Sequence, residues 1–155
     1  DPTCDLVKPV DRSSIDYSRS AESYADARVG VAVALAPAVG EAATPETAAQ
    51  VRVPVLIIGA RQDHLALFDG HARHWASLIP TSTLDVRDDG DHYQFVTPCM
   101  PHGPLVADAC DDPPGFERAR AQKEMTARIV GFLDESLSAR VARDGARRTT
   151  HRATR

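Results

Sequence analysis

The sequence has no long apolar run, and none approaches the roughly 18 consecutive apolar residues that a membrane-spanning helix needs. We therefore predict no transmembrane segment. The chain also opens with "DPTC" rather than with methionine and a basic, then apolar, leader. We expect either that N-terminal residues were removed or that the chain is a piece of a longer protein. Its 155 residues and 43% hydrophobic content predict one soluble domain with a packed core.

Cysteine is scarce, and its count of three is odd. Cys99 and Cys110 bracket the proline-rich segment "CMPHGPLVADAC", a spacing that a disulfide can close, with a stabilisation of about 3 kcal/mol. A disulfide there predicts an oxidising compartment, either periplasmic or extracellular. Two buried thiols in a cytoplasmic protein fit the same spacing equally well. If Cys99 pairs with Cys110, Cys4 would have no partner in this chain.

The net charge is -4, but the C-terminal end of the chain is rich in arginine. Residues 138–155 contain six arginines and a single acid, Asp144. With almost no apolar residues, this segment is predicted to be a solvated, disordered tail. A basic tail can also contact nucleic acid or anionic lipid, but the lack of aromatic residues in it argues against nucleic acid as a partner.

Short apolar runs bounded by glycine and proline predict buried parallel strands at Gly30–Ala36 ("GVAVALA") and Val53–Ile58 ("VPVLII"). A third, more exposed strand is predicted at 82–86 ("STLDV"). Helices are predicted at 44–50, 69–78 and 115–137, the first with Thr44 as N-cap and Pro45 in its first turn. The alternation of strands and helices predicts an α/β fold with a parallel sheet and flanking helices.

Two polar residues follow neighbouring strands. Asp63 comes four residues after Gly59, and His92 comes six residues after Val86. Because the carboxyl ends of parallel strands share one edge of the sheet, we expect the two side chains to meet. A buried acid that accepts the Nδ1 proton of an imidazole leaves Nε2 free as a general base. Taken singly, Asp63 also fits a turn or helix cap, and His92 fits a polar loop.

The other histidines give weaker signals. His71 and His74, with Asp69, could suggest a metal site, but an i, i+3 histidine pair lacks a full ligand set, and exposed helix surface fits as well. His64 is predicted to lie at the rim of the Asp63 site. No metal or cofactor is predicted.

The segments "RVPVLIIGARQD", "HWASLIP", "STLDV" and "GDHYQFVTPCMPHGP" resemble the C-terminal half of an α/β-hydrolase. The resemblance is closest to bacterial esterases that are similar to dienelactone hydrolase and platelet-activating-factor acetylhydrolase. It covers residues 1–137 and is strongest over 51–110. It implies hydrolysis of carboxylic esters by a Ser-Asp-His mechanism, with Asp63 as acid and His92 as base. The cysteine segment is similar to that of members outside the cytoplasm.

One departure from that family concerns the nucleophile. The family carries it in G-x-S-x-G, ahead of the acid and the base, but no two of the nine glycines here are four apart. We therefore expect the serine and the oxyanion hole to lie upstream of Asp1, and the chain alone to be inactive. Its partners are then an ester substrate and the missing N-terminal half.

The half-domain hypothesis also predicts an open edge at residues 29–35, through which the isolated chain would self-associate. The alternative hypothesis is a non-catalytic binding module whose basic tail contacts a polyanion.

Overall fold

Three parallel strands form one sheet in a computed structural model that describes residues 12–19, 22–96 and 107–153. The strands are β1 (Ala32–Leu35), β2 (Val55–Ala60) and β3 (Ser82–Arg87), in the order β1-β2-β3. Their carboxyl ends therefore lie at one edge, which we call the carboxyl edge. The predicted α/β class and parallel sheet are confirmed.

In the described ranges, four α-helices accompany the sheet: α1 (Pro45–Ala48), α2 (Ala72–Leu78), α3 (Ala107–Cys110) and α4 (Arg118–Ala153). Single 3₁₀ turns occur at Arg12–Ser14, Gly40–Ala42 and His92–Phe95. The predicted cap of α1 is present, since the Thr47 N–H donates to Thr44 Oγ1 at 3.3 Å and Pro45 occupies the first turn. Among the described residues, no helix has the length and apolarity needed to cross a membrane.

The central strand β2 carries the core, and all six of its residues are buried. One face packs through Ile57 against Phe68 and Ala72, and the other through Leu56 and Ile58 against Phe132 of α4. Burial on both faces was predicted for β1 as well. That prediction is wrong, because β1 is the edge strand of the described sheet and its residues are only partly covered.

Helix α4 lies against β3 through two ion pairs, Arg128 to Asp85 at 3.1 Å and Arg87 to Glu124 at 3.2 Å. It was predicted to end at residue 137 but continues to Ala153. Most of the arginine-rich residues 138–155 therefore belong to this helix. The disorder predicted for them in solution stays a prediction.

The cysteine prediction lies partly outside the described residues. Cys110 is the last residue of α3. Its proposed partner Cys99 and the remaining cysteine, Cys4, are not among the residues that the structure describes. The pairing of Cys99 with Cys110 therefore stays a prediction.

Candidate functional site

Asp63 lies in the turn that follows β2, and its carboxylate is almost completely buried, with 2% of the side chain exposed. The Asp63 N–H donates to the Ala60 carbonyl at 3.3 Å, which closes the turn. Oδ1 accepts from the N–H groups of Leu65 and Ala66 at 2.9 and 2.7 Å. Asp63 is thus a turn cap through Oδ1, as one reading of the sequence predicted. These bonds fix the carboxylate and leave Oδ2 for another donor.

His92 is the first residue of the 3₁₀ turn that follows β3. Gly90 allows the chain to change direction there, with a φ of 80° that favours glycine. Asp91 is the N-cap of the turn, and its N–H donates to Oε1 of the buried Gln94. The motif Asp-x-x-Gln is therefore a capping box, and it sets the position from which the His92 side chain starts.

The structure brings these two residues together. Nδ1 of His92 lies 2.8 Å from Oδ2 of Asp63. Because a carboxylate accepts hydrogen bonds, the neutral imidazole in this contact has its proton on Nδ1 and its lone pair on Nε2. Within the described part of the chain, Nε2 has no protein partner, and 25% of the His92 side chain is exposed. The arrangement can remove a proton from a group placed at Nε2.

Asp91 and His64 form a second aspartate–histidine pair, and each of them is next in the chain to a member of the first pair. Asp91 precedes His92, and His64 follows Asp63 in the chain. Oδ1 of Asp91 accepts from the His92 N–H at 2.6 Å and from the His64 N–H at 3.0 Å, while Oδ2 bonds to Nδ1 of His64. The sequence predicts His64 only as a rim residue and does not indicate this pairing.

The pKa of Asp91 lies below its ordinary value. Partial burial alone would raise this pKa, but it is outweighed by the hydrogen bonds from the His92 and His64 N–H groups and by the His64 ring, which interacts with the carboxylate both through its hydrogen bond and through its charge. Asp91 is therefore held as an acceptor between the two loops.

Arg118, the first residue of α4, is a buried cation that the sequence did not point to, with 4% exposure. Nε donates to Oδ1 of Asp112 at 2.7 Å, and Nη1 donates to the Tyr93 carbonyl at 3.0 Å. It also contacts the carbonyls of Ala109 and Cys110. Most of these partners are backbone oxygens that any residue carries, so no side-chain motif marks them in advance.

The loop after β1 also begins at the carboxyl edge, and its backbone is strained. Ala36 and Val39 have φ values of 41° and 60°, and positive φ is costly for a β-branched residue such as Val39. Several exposed apolar residues lie at this edge: Leu35 at the end of β1, and Val39, Leu65, Leu67 and Val96 in the loops that leave it. Exposed apolar side chains thus occur at the same edge of the sheet as the polar pair.

The residues of the possible metal site have other partners. Nδ1 of His71 accepts the Gly40 N–H at 3.0 Å, and Asp69 pairs with Arg73 at 2.8 Å. In the described ranges, no group of three or more histidine, cysteine, aspartate or glutamate side chains could hold a metal ion. His71, the N-cap of α2, therefore fits a role in local packing, and His74 fits the reading as partly exposed helix surface.

A concavity of about 420 Å³ lies elsewhere on the molecule, lined by Pro54, Thr83, Phe132 and Arg143 among others. Pro54 and Thr83 mark the amino ends of β2 and β3, opposite the carboxyl edge. This space does not adjoin Asp63 and His92, so it is not the place where their chemistry would occur.

Comparison with known proteins leaves the chain without an assigned family. No protein-family model matches it, and no curated protein is significantly similar in sequence. Function is therefore inferred from the geometry at the carboxyl edge of the sheet.

Proposed function

We propose that the chain is the C-terminal portion of an α/β-hydrolase domain and supplies the acid and the base of a serine hydrolase that acts on carboxylic esters. The observation that supports this most is the contact between the buried Asp63 and His92. A structural ion pair does not require an imidazole whose other nitrogen is free, whereas a general base does.

The proposed chemistry uses Nε2 of His92, with which no other described residue forms a hydrogen bond. A serine hydroxyl attacks the ester carbonyl while Nε2 of His92 takes the hydroxyl proton, and the imidazolium then gives that proton to the departing alcohol. Water repeats the sequence on the acyl-serine, which releases the carboxylic acid and restores the serine. Asp63 holds Nδ1 and stabilises the imidazolium. These steps need no metal or organic cofactor.

The surroundings of the pair support these roles. Burial of Asp63 lowers the local dielectric, which strengthens its attraction for an imidazolium. The hydrogen bonds to Oδ1 keep the carboxylate from turning away when His92 becomes charged. The exposed apolar residues of the carboxyl edge suit the apolar part of an ester, or the remaining part of the domain.

The nucleophile and the oxyanion hole are assigned to residues upstream of Asp1, because no G-x-S-x-G occurs in these 155 residues. The isolated chain is accordingly proposed to be inactive. A periplasmic or secreted location goes with this proposal, and depends on the proposed disulfide between Cys99 and Cys110.

Covalent labelling of the complete gene product with a fluorophosphonate probe tests this function. Such a probe reacts with a serine that a neighbouring base activates. We expect one labelled serine, located by peptide mass spectrometry upstream of Asp1, and we expect His92→Ala to abolish the labelling. The variant His74→Ala, which removes a histidine from the helix α2, is the matched control and should be labelled like the wild type. Unchanged labelling of the His92→Ala protein, or no labelled serine in the wild type, would overturn the proposal.

A further inference from the structure

The carboxylate of Asp91 bonds to both of the loops that carry the two aspartate–histidine pairs. Asp91 accepts from the backbone of His64, which is adjacent to Asp63, and from the backbone of His92 itself. We infer that Asp91 is a positioning residue, which together with His64 holds the Asp63 loop and the His92 loop at the separation their own contact requires. This inference rests on the proposed function.

The bonds to Asp91 control both ends of the Asp63–His92 contact. Oδ1 of Asp91 lies 3.0 Å from the backbone nitrogen of His64 and 2.6 Å from the backbone nitrogen of His92. A shift of either loop therefore breaks one of these bonds. The Asp91 N–H is itself held by the buried Gln94. Gln94 therefore fixes the backbone of Asp91, and the Asp91 carboxylate bonds to both loops.

The exposure of the second pair argues for orientation rather than proton transfer. The His64 side chain is 58% exposed, against 25% for His92, and the Asp91 side chain is 27% exposed, against 2% for Asp63. Water thus screens the second pair more, and its imidazole is less tightly fixed. His92 is therefore paired with the buried acid, Asp63, and Asp91 aligns the two loops.

A neighbouring ion pair offers a matched control. Arg61 and Asp88 join the same two loops, with Nε 2.6 Å from Oδ1, and Asp88 is 81% exposed. Asp88 contacts neither His64 nor His92 in the described part of the chain. Asp88→Ala therefore removes the same charge and a bridge between the same loops, but leaves both imidazoles untouched.

Ester turnover by the complete gene product tests the inference. We expect Asp91→Ala to lower kcat by at least about tenfold, approaching the roughly 100-fold that a misplacement of about 1 Å costs, with KM nearly unchanged. Asp91→Asn should recover most of the lost kcat, because an amide oxygen can still accept both N–H groups. His64→Ala, which removes only the bond to Oδ2, should have a smaller effect than Asp91→Ala, and Asp88→Ala should have none.

The His92 ring gives a second readout that does not depend on turnover. In nitrogen NMR spectra of the 155-residue chain, Nδ1 should be protonated in the wild type, in Asp91→Asn and in Asp88→Ala. In Asp91→Ala the ring should become a mixture of tautomers, and the amides of His64 and His92 should lose protection from exchange. If Asp91→Ala does not fold, the Asp91→Asn and His64→Ala variants still carry the test.

The outcomes separate this inference from the function on which it rests. If Asp63→Asn and His92→Ala abolish turnover while Asp91→Ala and His64→Ala leave both kcat and the His92 tautomer unchanged, the positioning role is wrong and the function stands. An equal loss of kcat in Asp91→Ala and Asp88→Ala also overturns the positioning role, because any bridge between the two loops would then have the same effect. If Asp63→Asn and His92→Ala leave turnover unchanged, the proposed function itself fails.

Discussion

Asp63 and His92 are 29 residues apart in the chain, yet Oδ2 of the one lies 2.8 Å from Nδ1 of the other. The register of the sheet explains how they meet. Ala60 at the end of β2 pairs with Arg87 at the end of β3, and the next residue, Arg61, still donates to the Arg87 carbonyl at 2.8 Å. Both loops therefore leave the sheet at the same level, and short turns are enough to bring the two side chains together.

Replacement of Gly90 should destabilise the His92 loop. A Cβ at this position would lie 2.9 Å from Phe116, and the φ of 80° costs other residues about 1–2 kcal/mol. We expect Gly90→Ala to lower the free energy of unfolding by at least that amount in urea titrations. Gly131→Ala is the control, since a Cβ there meets nothing within 4 Å on helix α4 and should stabilise the protein by about 0.5–1 kcal/mol. Equal effects of the two changes would contradict the strain argument.

The lowered pKa of Asp91 predicts a loss of stability in acid. Because its folded-state pKa is below the unfolded-state value, the contribution is complete well above the unfolded-state pKa of about 3.9. It is lost as the pH falls from there through the lower folded-state pKa. Urea unfolding of the wild type and of Asp91→Asn, from about pH 7 to about pH 3, should show a stability difference that shrinks only at the acidic end. A difference that does not change over this range would show that the charge of Asp91 is not involved.

Arg118 should be among the most sensitive positions outside the Asp63–His92 pair. Its loss removes the buried donor of Asp112 and of the Tyr93 carbonyl, which are themselves partly exposed, so Arg118→Ala should destabilise the protein by about 1–3 kcal/mol. Arg120→Ala, at an exposed position of the same helix, should change stability by less than about 0.5 kcal/mol. Thermal and urea unfolding measure the stability of both variants. Comparable losses of stability would show that the burial of Arg118 does not matter.

The edge strand β1 should mediate self-association of the isolated chain. Val29 and Leu35 are exposed at this edge, and β2 is the only described strand that pairs with β1. Leu35→Lys should shift the chain toward monomer in size-exclusion chromatography, whereas Val141→Lys, an exposed apolar position on α4, should not. A wild-type chain that elutes as a monomer, with strongly protected amides at 29–35, would show that this edge is closed.

The sequence predicted the parts of this site that depend on local pattern. Buried runs around residues 55–60 indicate parallel strands, and the residues directly after such strands share an edge, which was enough to predict that Asp63 meets His92. The contacts of Asp91 and Arg118 depend on which backbone groups the folded chain brings near them, and no spacing in the sequence encodes that. The open edge of β1 was expected from the half-domain hypothesis, whereas the partial exposure of its residues on the two faces of the sheet depends on the place of the strand rather than on its composition.

The rate of ester hydrolysis by the complete gene product tests the central claim most directly. With a short-chain nitrophenyl ester, we expect His92→Ala and Asp63→Asn each to lower kcat by about 10⁴-fold or more, as removal of one member of such a triad does. Asp69→Asn removes an exposed carboxylate that pairs with Arg73 and should leave the rate unchanged. The 155-residue chain alone should show no turnover above background. Hydrolysis by the complete protein that survives His92→Ala, or hydrolysis by the isolated chain that His92→Ala abolishes, would contradict the account.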